Sequence, residues 1–259
     1  MGYIGRFVGV GKTRVDQLCG VYAITGRAQS SKARRLKIEN DSAVVKPISN
    51  PTSEQRQQAE YIFYPAIKVM QGMNGCALLT NGIQTKEIWN SLGMSGVSYG
   101  YPWSNVAYTT RDILNDMGAE TDGPDNGEQT PRIMGFVGVT GCSLIGMVTP
   151  HRRARTVEFV PKAFKSGEFR TVSTYSGESS GLDIPDIRTQ EDFEAYAKVL
   201  HLEGVKPADL ARELYEKMSP EYVVATAVTV YDPKFVIPNP TTKKAGDIGK
   251  WDIAVKNRR

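Results

Sequence analysis

Between Tyr22 and Arg35 the chain assembles groups that bind anions. The run Tyr22-Ala-Ile-Thr-Gly-Arg27 is followed by Ser30, Ser31, Lys32, Arg34 and Arg35, with no acid before Glu39. Hydroxyls on Thr25, Ser30 and Ser31 can donate to oxygen, and Gly26 permits close approach of the backbone. The guanidinium fork of arginine suits bidentate contact with phosphate oxygens. The chemistry that such a cluster serves is the holding of a phosphate ester. The alternative is a solvated charged edge that discourages strand pairing.

A second constellation is Glu128-Gln129-Thr130-Pro131-Arg132, which joins an acidic loop to an apolar run. It reads as a strand entrance stiffened by Pro131, with Arg132 paired to a carboxylate. It reads equally as a carboxylate, a hydroxyl and a guanidinium gathered at a strand end, where sites form. Asn81-Gly82 is a turn, or an amide that reads a carboxamide or base edge. Tyr64 is a core residue on sequence grounds, with a phenol available for proton transfer. Gly9-Val10-Gly11-Lys12-Thr13 resembles the end of a triphosphate loop, but Arg6 stands where that loop requires its first glycine, and no helix follows. A polar hairpin turn is the better reading.

The two histidines, His151 in a basic run and His201 near an expected helix end, adjoin no nucleophile. Cys19, Cys76 and Cys142 have no metal-ligand spacing and read as reduced, buried thiols. Cys19 lies near the cation cluster, which leaves a nucleophilic thiol as the alternative to an inert one. Neither a metal nor an organic cofactor is expected.

Elements must hold these groups in place. The 259 residues, with 40% hydrophobic and 23% charged content, can bury a sizeable core. The net charge of +4 permits an anionic ligand without the dense basic stripe of a nucleic-acid binder. No run approaches the ~18 apolar residues of a membrane span. The strand-like start at Tyr3 leaves no room for a signal peptide, so a cytoplasmic location is expected.

Residues 3–10 and 20–26 predict a β-hairpin, and 34–38 and 42–45 a second one about Asn40-Asp41. The run 61–70 reads as a strand that Pro65 assigns to a sheet edge. A strand at 75–80, helices near 84–92 and 104–117, and apolar strands at 133–139 and 143–149 follow. The last two are hydrophobic on both faces and so should be covered on both. Further strands are expected at 155–160 and 169–175. The spacing of Phe193, Tyr196, Ala197 and Leu200 predicts a helix over 189–203, and Leu210, Ala211, Leu214, Tyr215 and Met218 a second from Pro207. A strand at 222–230 closes the regular structure, and the tail after about 238 is expected to be loosely held. The whole predicts one α+β domain spanning residues 1–259.

In order along the first 150 residues, Tyr3-Ile4-Gly5-Arg6-Phe7, Val10-Gly11-Lys12-Thr13, Tyr22, Arg27, Asn50-Pro51, Thr80-Asn81-Gly82 and Thr130-Pro131-Arg132-Ile133 resemble the archaeal-type IMP cyclohydrolase family. The resemblance implies an N-terminal-nucleophile-hydrolase-like fold, a four-layer αββα sandwich, here without an autoprocessed nucleophile. It implies closure of the purine ring of a formamidoimidazole-carboxamide ribonucleotide to IMP by dehydration, no cofactor, a purine monophosphate partner and a homo-oligomer. Arg27, Tyr64, Glu128 and Arg132 would be catalytic. Tyr22, Ser30, Lys32, Arg34, Asn81 and Thr130 would bind substrate. The family pattern has Pro-Asn-Arg where this chain has Ser30-Ser31-Lys32, and lysine lacks the guanidinium fork. Two alternatives are a hydrolase of C–N amide bonds working through Cys19 and a purine-nucleotide binder without catalysis.

Overall fold

A computed structural model describes residues 2–49, 63–71, 75–94, 104–121, 129–139, 142–150, 153–177, 182–233, 236–238, 245–247 and 249–258. The β-rich runs β1 (Arg6–Lys12) and β2 (Leu18–Thr25) form the expected hairpin, buried on both faces, with Arg6 opposite Ile24 and Gly11 opposite Cys19. One helical turn, α1 (Gln29–Lys32), leads into the hairpin β3 (Arg34–Glu39) and β4 (Ser42–Pro47). Asn40 adopts φ 51° at its turn, a left-handed conformation that asparagine tolerates. Next come β5 (Pro65–Met70), β6 (Cys76–Thr80), α2 (Gln84–Met94) and α3 (Ser104–Met117). The short pair β7 (Glu120–Thr121) and β8 (Gln129–Thr130) precedes β9 (Arg132–Gly138), β10 (Ser143–Val148), β11 (Arg155–Phe159) and β12 (Glu168–Ser173). The chain continues as α4 (Gln190–Tyr196), β13 (Lys198–His201), α5 (Pro207–Lys217) and β14 (Val223–Asp232), then β15 (Val236–Pro238), β16 (Ala245–Asp247) and β17 (Lys250–Asn257).

Apart from the two-stranded pairs β7–β8 and β15–β16, these strands form two large antiparallel sheets, ordered β13-β12-β1-β2-β14-β17 and β11-β10-β9-β6-β5-β4-β3. The period-two rule divides each strand between two clusters. Val8, Val10, Tyr22 and Ile24 of the first sheet meet Ala43, Val45, Ile67, Leu79, Ile133 and Val137 of the second. On the first sheet's other face, Val21, Ala23 and Val228 pack on Leu210 and Leu214 of α5. On the second sheet's other face, Leu78, Met134, Phe136 and Leu144 meet Ile88, Leu92, Val106 and Leu114 of α2 and α3. Every residue of β9 and β10 is buried, which explains their unbroken hydrophobicity.

Three expectations are corrected. β5 is an interior strand between β4 and β6. Its proline is the first strand residue, at the point where the β4–β5 register shifts, so the missing N–H breaks no ladder bond. The helix expected over 189–203 stops at Tyr196. It starts at a capping box between Thr189 and Asp192, but Ala197 turns extended and the next four residues pair with the edge of β12. Leu200 is buried from a strand, a placement its spacing from Phe193 could not distinguish from helix. The tail also contains β17, which pairs along β14 from Ala225 to Asp232 and buries Trp251 to 2% exposure. No helix among the described residues is long and apolar enough to cross a membrane.

Candidate active site

Strand ends from both sheets converge at one end of the molecule: the starts of β1, β3, β5 and β9 and the ends of β2, β6 and β12. At the start of β1, Gly5 takes φ +69°, and a Cβ there would lie 2.1 Å from Thr174 Oγ1. Only glycine fits that turn. Arg6 follows, its N–H donating to Thr174 Oγ1 at 3.0 Å. Period two puts Arg6 on the same face of β1 as Val8 and Val10, at the mouth of the core between the sheets.

There Arg6 Nε donates to the Tyr64 hydroxyl at 3.5 Å, and the Tyr64 and Tyr22 hydroxyls lie 2.8 Å apart. Both phenols are buried. Burial pushes the Tyr22 phenol well above its ordinary value and Tyr64 adds to the effect, while Arg6 and Arg34 oppose it. The Tyr22 hydroxyl is therefore a hydrogen-bonding group rather than a charge at neutral pH. Arg34, 6% exposed at the start of β3, is pulled down to about 10, by burial first and then by the neighbouring Arg6 guanidinium. Burial also works against the charge of Arg6, but Tyr64, Tyr22 and Glu120 outweigh it and hold that guanidinium above its usual range. Two guanidiniums thus share a poorly solvated place.

The cationic segment reaches this place through Gly26. A Cβ on Gly26 would lie 2.7 Å from Ser31 Cβ and 2.9 Å from its carbonyl carbon, so the glycine lets α1 fold back onto the end of β2. The Ser31 carbonyl then accepts from Arg34 Nε at 2.9 Å. Ser30 is exposed on α1 and Lys32 half-buried at its end. Arg27 is exposed, its guanidinium 5.0 Å over the Tyr3 ring. Tyr3 stacks on Tyr175 at 5.4 Å, and the Tyr175 hydroxyl lies 3.1 Å from Thr130 Oγ1. Arg27 and Thr130 are thereby linked through two aromatic rings.

Beyond the end of β6, Asn81 Nδ2 donates to the Pro131 carbonyl at 2.8 Å, and its Oδ1 accepts from Ile133 N and Gln84 Nε2. Arg132 donates to the Gly118 carbonyl at 2.9 Å and to Gln84 Oε1 at 3.0 Å. The position that a Cβ on Gly82 would take lies 3.2 Å from Arg132 Nη1 and 3.3 Å from Glu120 Oε2. The same position lies 2.6 Å from Gln84 Oε1, so the glycine makes room for the Gln84 side chain between the guanidinium and the carboxylate. Glu120 sits in β7, paired with Thr130. The Glu120 carboxylate acts on Arg6, and Arg6 in turn on Arg34, so the cations of this end are electrostatically coupled.

Tyr22, Tyr64 and Arg34 are therefore in one cluster, with Thr130 and Arg132 joined to it through Glu120. Arg27, Ser30 and Lys32 lie at its solvent side. Asn81 commits both ends of its amide to Pro131, Ile133 and Gln84. Glu128 lies outside the described residues, as do His151 and the Asn50-Pro51 pair. Sequence reasoning assigned no role to Arg6, Glu120, Tyr3 or Tyr175. Gly5-Arg6 at the head of an alternating strand was the available signal for the first of these. Cys19 is buried in the cluster between the first sheet and α5, at the far end of the hairpin from Arg6. Burial pushes its thiol well above the ordinary range, the reverse of an activated nucleophile.

Comparison with curated proteins finds no match. The family described as IMP cyclohydrolase-like protein matches residues 3–234, well past the first 150 residues that carry the quoted motifs. With nine-tenths of its length inside that match, the chain belongs to the IMP cyclohydrolase-like protein family.

Proposed function

We propose that this protein closes the purine ring of 5-formamidoimidazole-4-carboxamide ribonucleotide, releasing water and forming IMP, within one N-terminal-nucleophile-hydrolase-like αββα unit that has no processed nucleophile. The observation that carries the reading is the Arg6–Arg34 pair beside the Tyr22–Tyr64 pair. A buried guanidinium beside a second one costs free energy that an arriving anion would offset. The 5′-phosphate and the developing oxyanion of the formyl group are the anions of this reaction.

In this reading Arg27 and Arg34, with Ser30 and Lys32, hold the phosphate. The carboxamide nitrogen attacks the formyl carbon of the same molecule, so one C–N bond forms and the carbonyl oxygen gains charge. Arg6 and Arg132 face that oxygen, where a preformed donor is worth ~10²–10³ in rate. Glu128 takes the proton from nitrogen. The Tyr64 hydroxyl, partnered by Tyr22, gives a proton to the oxygen and a carbinol forms. The proton held by Glu128 then passes to that hydroxyl, the C–O bond breaks and water leaves, while the former formamide nitrogen returns its proton to the Tyr64 phenolate as the C=N bond forms. Thr130 and Tyr22 contact the substrate, and Asn81 acts by holding Pro131 and Ile133 on either side of Arg132. Reactant and nucleophile are one molecule, so positioning supplies much of the acceleration.

The test is to incubate the purified protein with the formamido ribonucleotide and follow IMP by absorbance. Ring closure no faster than in buffer, together with tight IMP binding, would identify a nucleotide binder without catalysis. A C–N hydrolase using Cys19 is disfavoured by the burial of that thiol away from the cluster.

A further inference from the structure

Residues 250–257 lie beyond the family match, yet they are tied into both sheets. β17 pairs with β14 in the first sheet, and side-chain amides fasten it to the second. Asn257 Oδ1 accepts from Leu36 N at 2.7 Å, and its Nδ2 donates to the Leu36 carbonyl at 3.0 Å. At the other end, Gln71 Oε1 accepts from Trp251 N at 2.7 Å and its Nε2 donates to the Trp251 carbonyl at 3.1 Å. Each amide stands in for the peptide group of a neighbouring strand.

Leu36 is on the edge strand of its sheet, two residues from Arg34 on the same face. Both side chains are buried. An edge strand has one ladder to set its position, and the donor–acceptor pair on Asn257 adds a second restraint that permits one placement of Leu36. Arg34 is thereby held between the Ser31 carbonyl on one side and the Leu36 clasp on the other. Misplacing a binding group by about 1 Å can cost ~10²-fold in rate.

We propose that Asn257 is a positioning residue for the anion pocket: through Leu36 it holds Arg34 where a substrate phosphate binds, so a C-terminal segment outside the family match sets affinity for the phosphorylated ligand. This rests on the reading of Arg34 as a phosphate group's partner.

The test compares dissociation constants for IMP and for inosine, which lacks the phosphate, in the full-length protein and its Asn257→Ala, Asn257→Asp, Arg34→Gln and Asn257→Ala/Arg34→Gln variants. The aspartate variant keeps shape and acceptor but loses the donor, so it serves if the alanine variant folds poorly. Both Asn257 variants should weaken IMP roughly five- to tenfold, the worth of one or so hydrogen bonds, and leave inosine unchanged. On the Arg34→Gln background Asn257→Ala should add nothing, because the two act through one contact. Asn257 variants that lower the melting temperature but keep the wild-type IMP-to-inosine ratio overturn the inference. The phosphate assignment would then still stand on the loss of that ratio in Arg34→Gln. An unchanged ratio in Arg34→Gln itself would overturn both.

Discussion

Replacing Arg34 by methionine should make the empty protein more stable while removing its response to nucleotide. Arg34 is 6% exposed, and burial together with the nearby Arg6 charge pulls it down to about 10. The substitution removes one hydrogen bond, to the Ser31 carbonyl, which costs about 1 kcal/mol. It also removes a desolvated cation beside another cation, relieving a penalty of several kcal/mol, and methionine fills much of the same volume. The second effect is the larger. A net gain of about 1–3 kcal/mol would raise the melting temperature by roughly 2–12 °C in a chain of this size. The wild-type protein should gain about 2.7 kcal/mol from IMP at a hundred times its dissociation constant, and the variant only a small part of it. Since the folded-state affinity of Arg34 for its proton is below that of the unfolded chain, the penalty is fully present at neutral pH. It is relieved as pH rises through about 10, and the stability gap between variant and wild type should narrow there. Thermal unfolding with and without IMP, at neutral and alkaline pH, measures all three. A variant several kcal/mol less stable than wild type, with an undiminished IMP shift, would refute the view that Arg34 is a strained cation awaiting an anion.

The phenol pair gives a second test. Tyr64→Phe leaves the buried Tyr22 hydroxyl without its 2.8 Å partner and should cost about 1–3 kcal/mol in urea unfolding, whereas Tyr22→Phe with Tyr64→Phe should recover part of that loss. Additive losses would show that the two hydroxyls do not interact. Glu128→Gln should lower kcat for ring closure by about 10²-fold or more, with IMP affinity near wild type, as steady-state kinetics and a binding titration would report. Cys19→Ala should keep full turnover and lose only about 1 kcal/mol of stability, because its thiol contributes packing between the first sheet and α5.

The sequence by itself determined the features set by short-range physics. Short β-rich runs separated by polar turns specified the β1–β2 and β3–β4 hairpins, and unbroken apolar runs announced β9 and β10 as strands covered on both faces. Leu210, Ala211 and Leu214 drew the buried stripe of α5 from Pro207 onward. The clustering of hydroxyls, glycine and cations after Tyr22, which includes Arg27 and Arg34, was legible because that signal is one of composition over a dozen neighbouring residues.

Tertiary structure decided what depends on distant partners. Lys198–His201 is a strand because the edge of β12 offers hydrogen bonds that the helical spacing of Phe193 and Leu200 cannot outweigh. Pro65 sits inside a sheet because a register shift at its strand's first residue excuses its missing donor. The meeting of Arg6 with Tyr64, 58 residues apart, and the clasp of Asn257 on Leu36, 221 residues apart, are consequences of sheet pairing and burial. So is the commitment of the Asn81 amide to Pro131 and Ile133. A residue type states what a side chain can donate, accept or bury; which neighbour receives it is settled only when strands remote in the chain are brought to the same end of the two sheets.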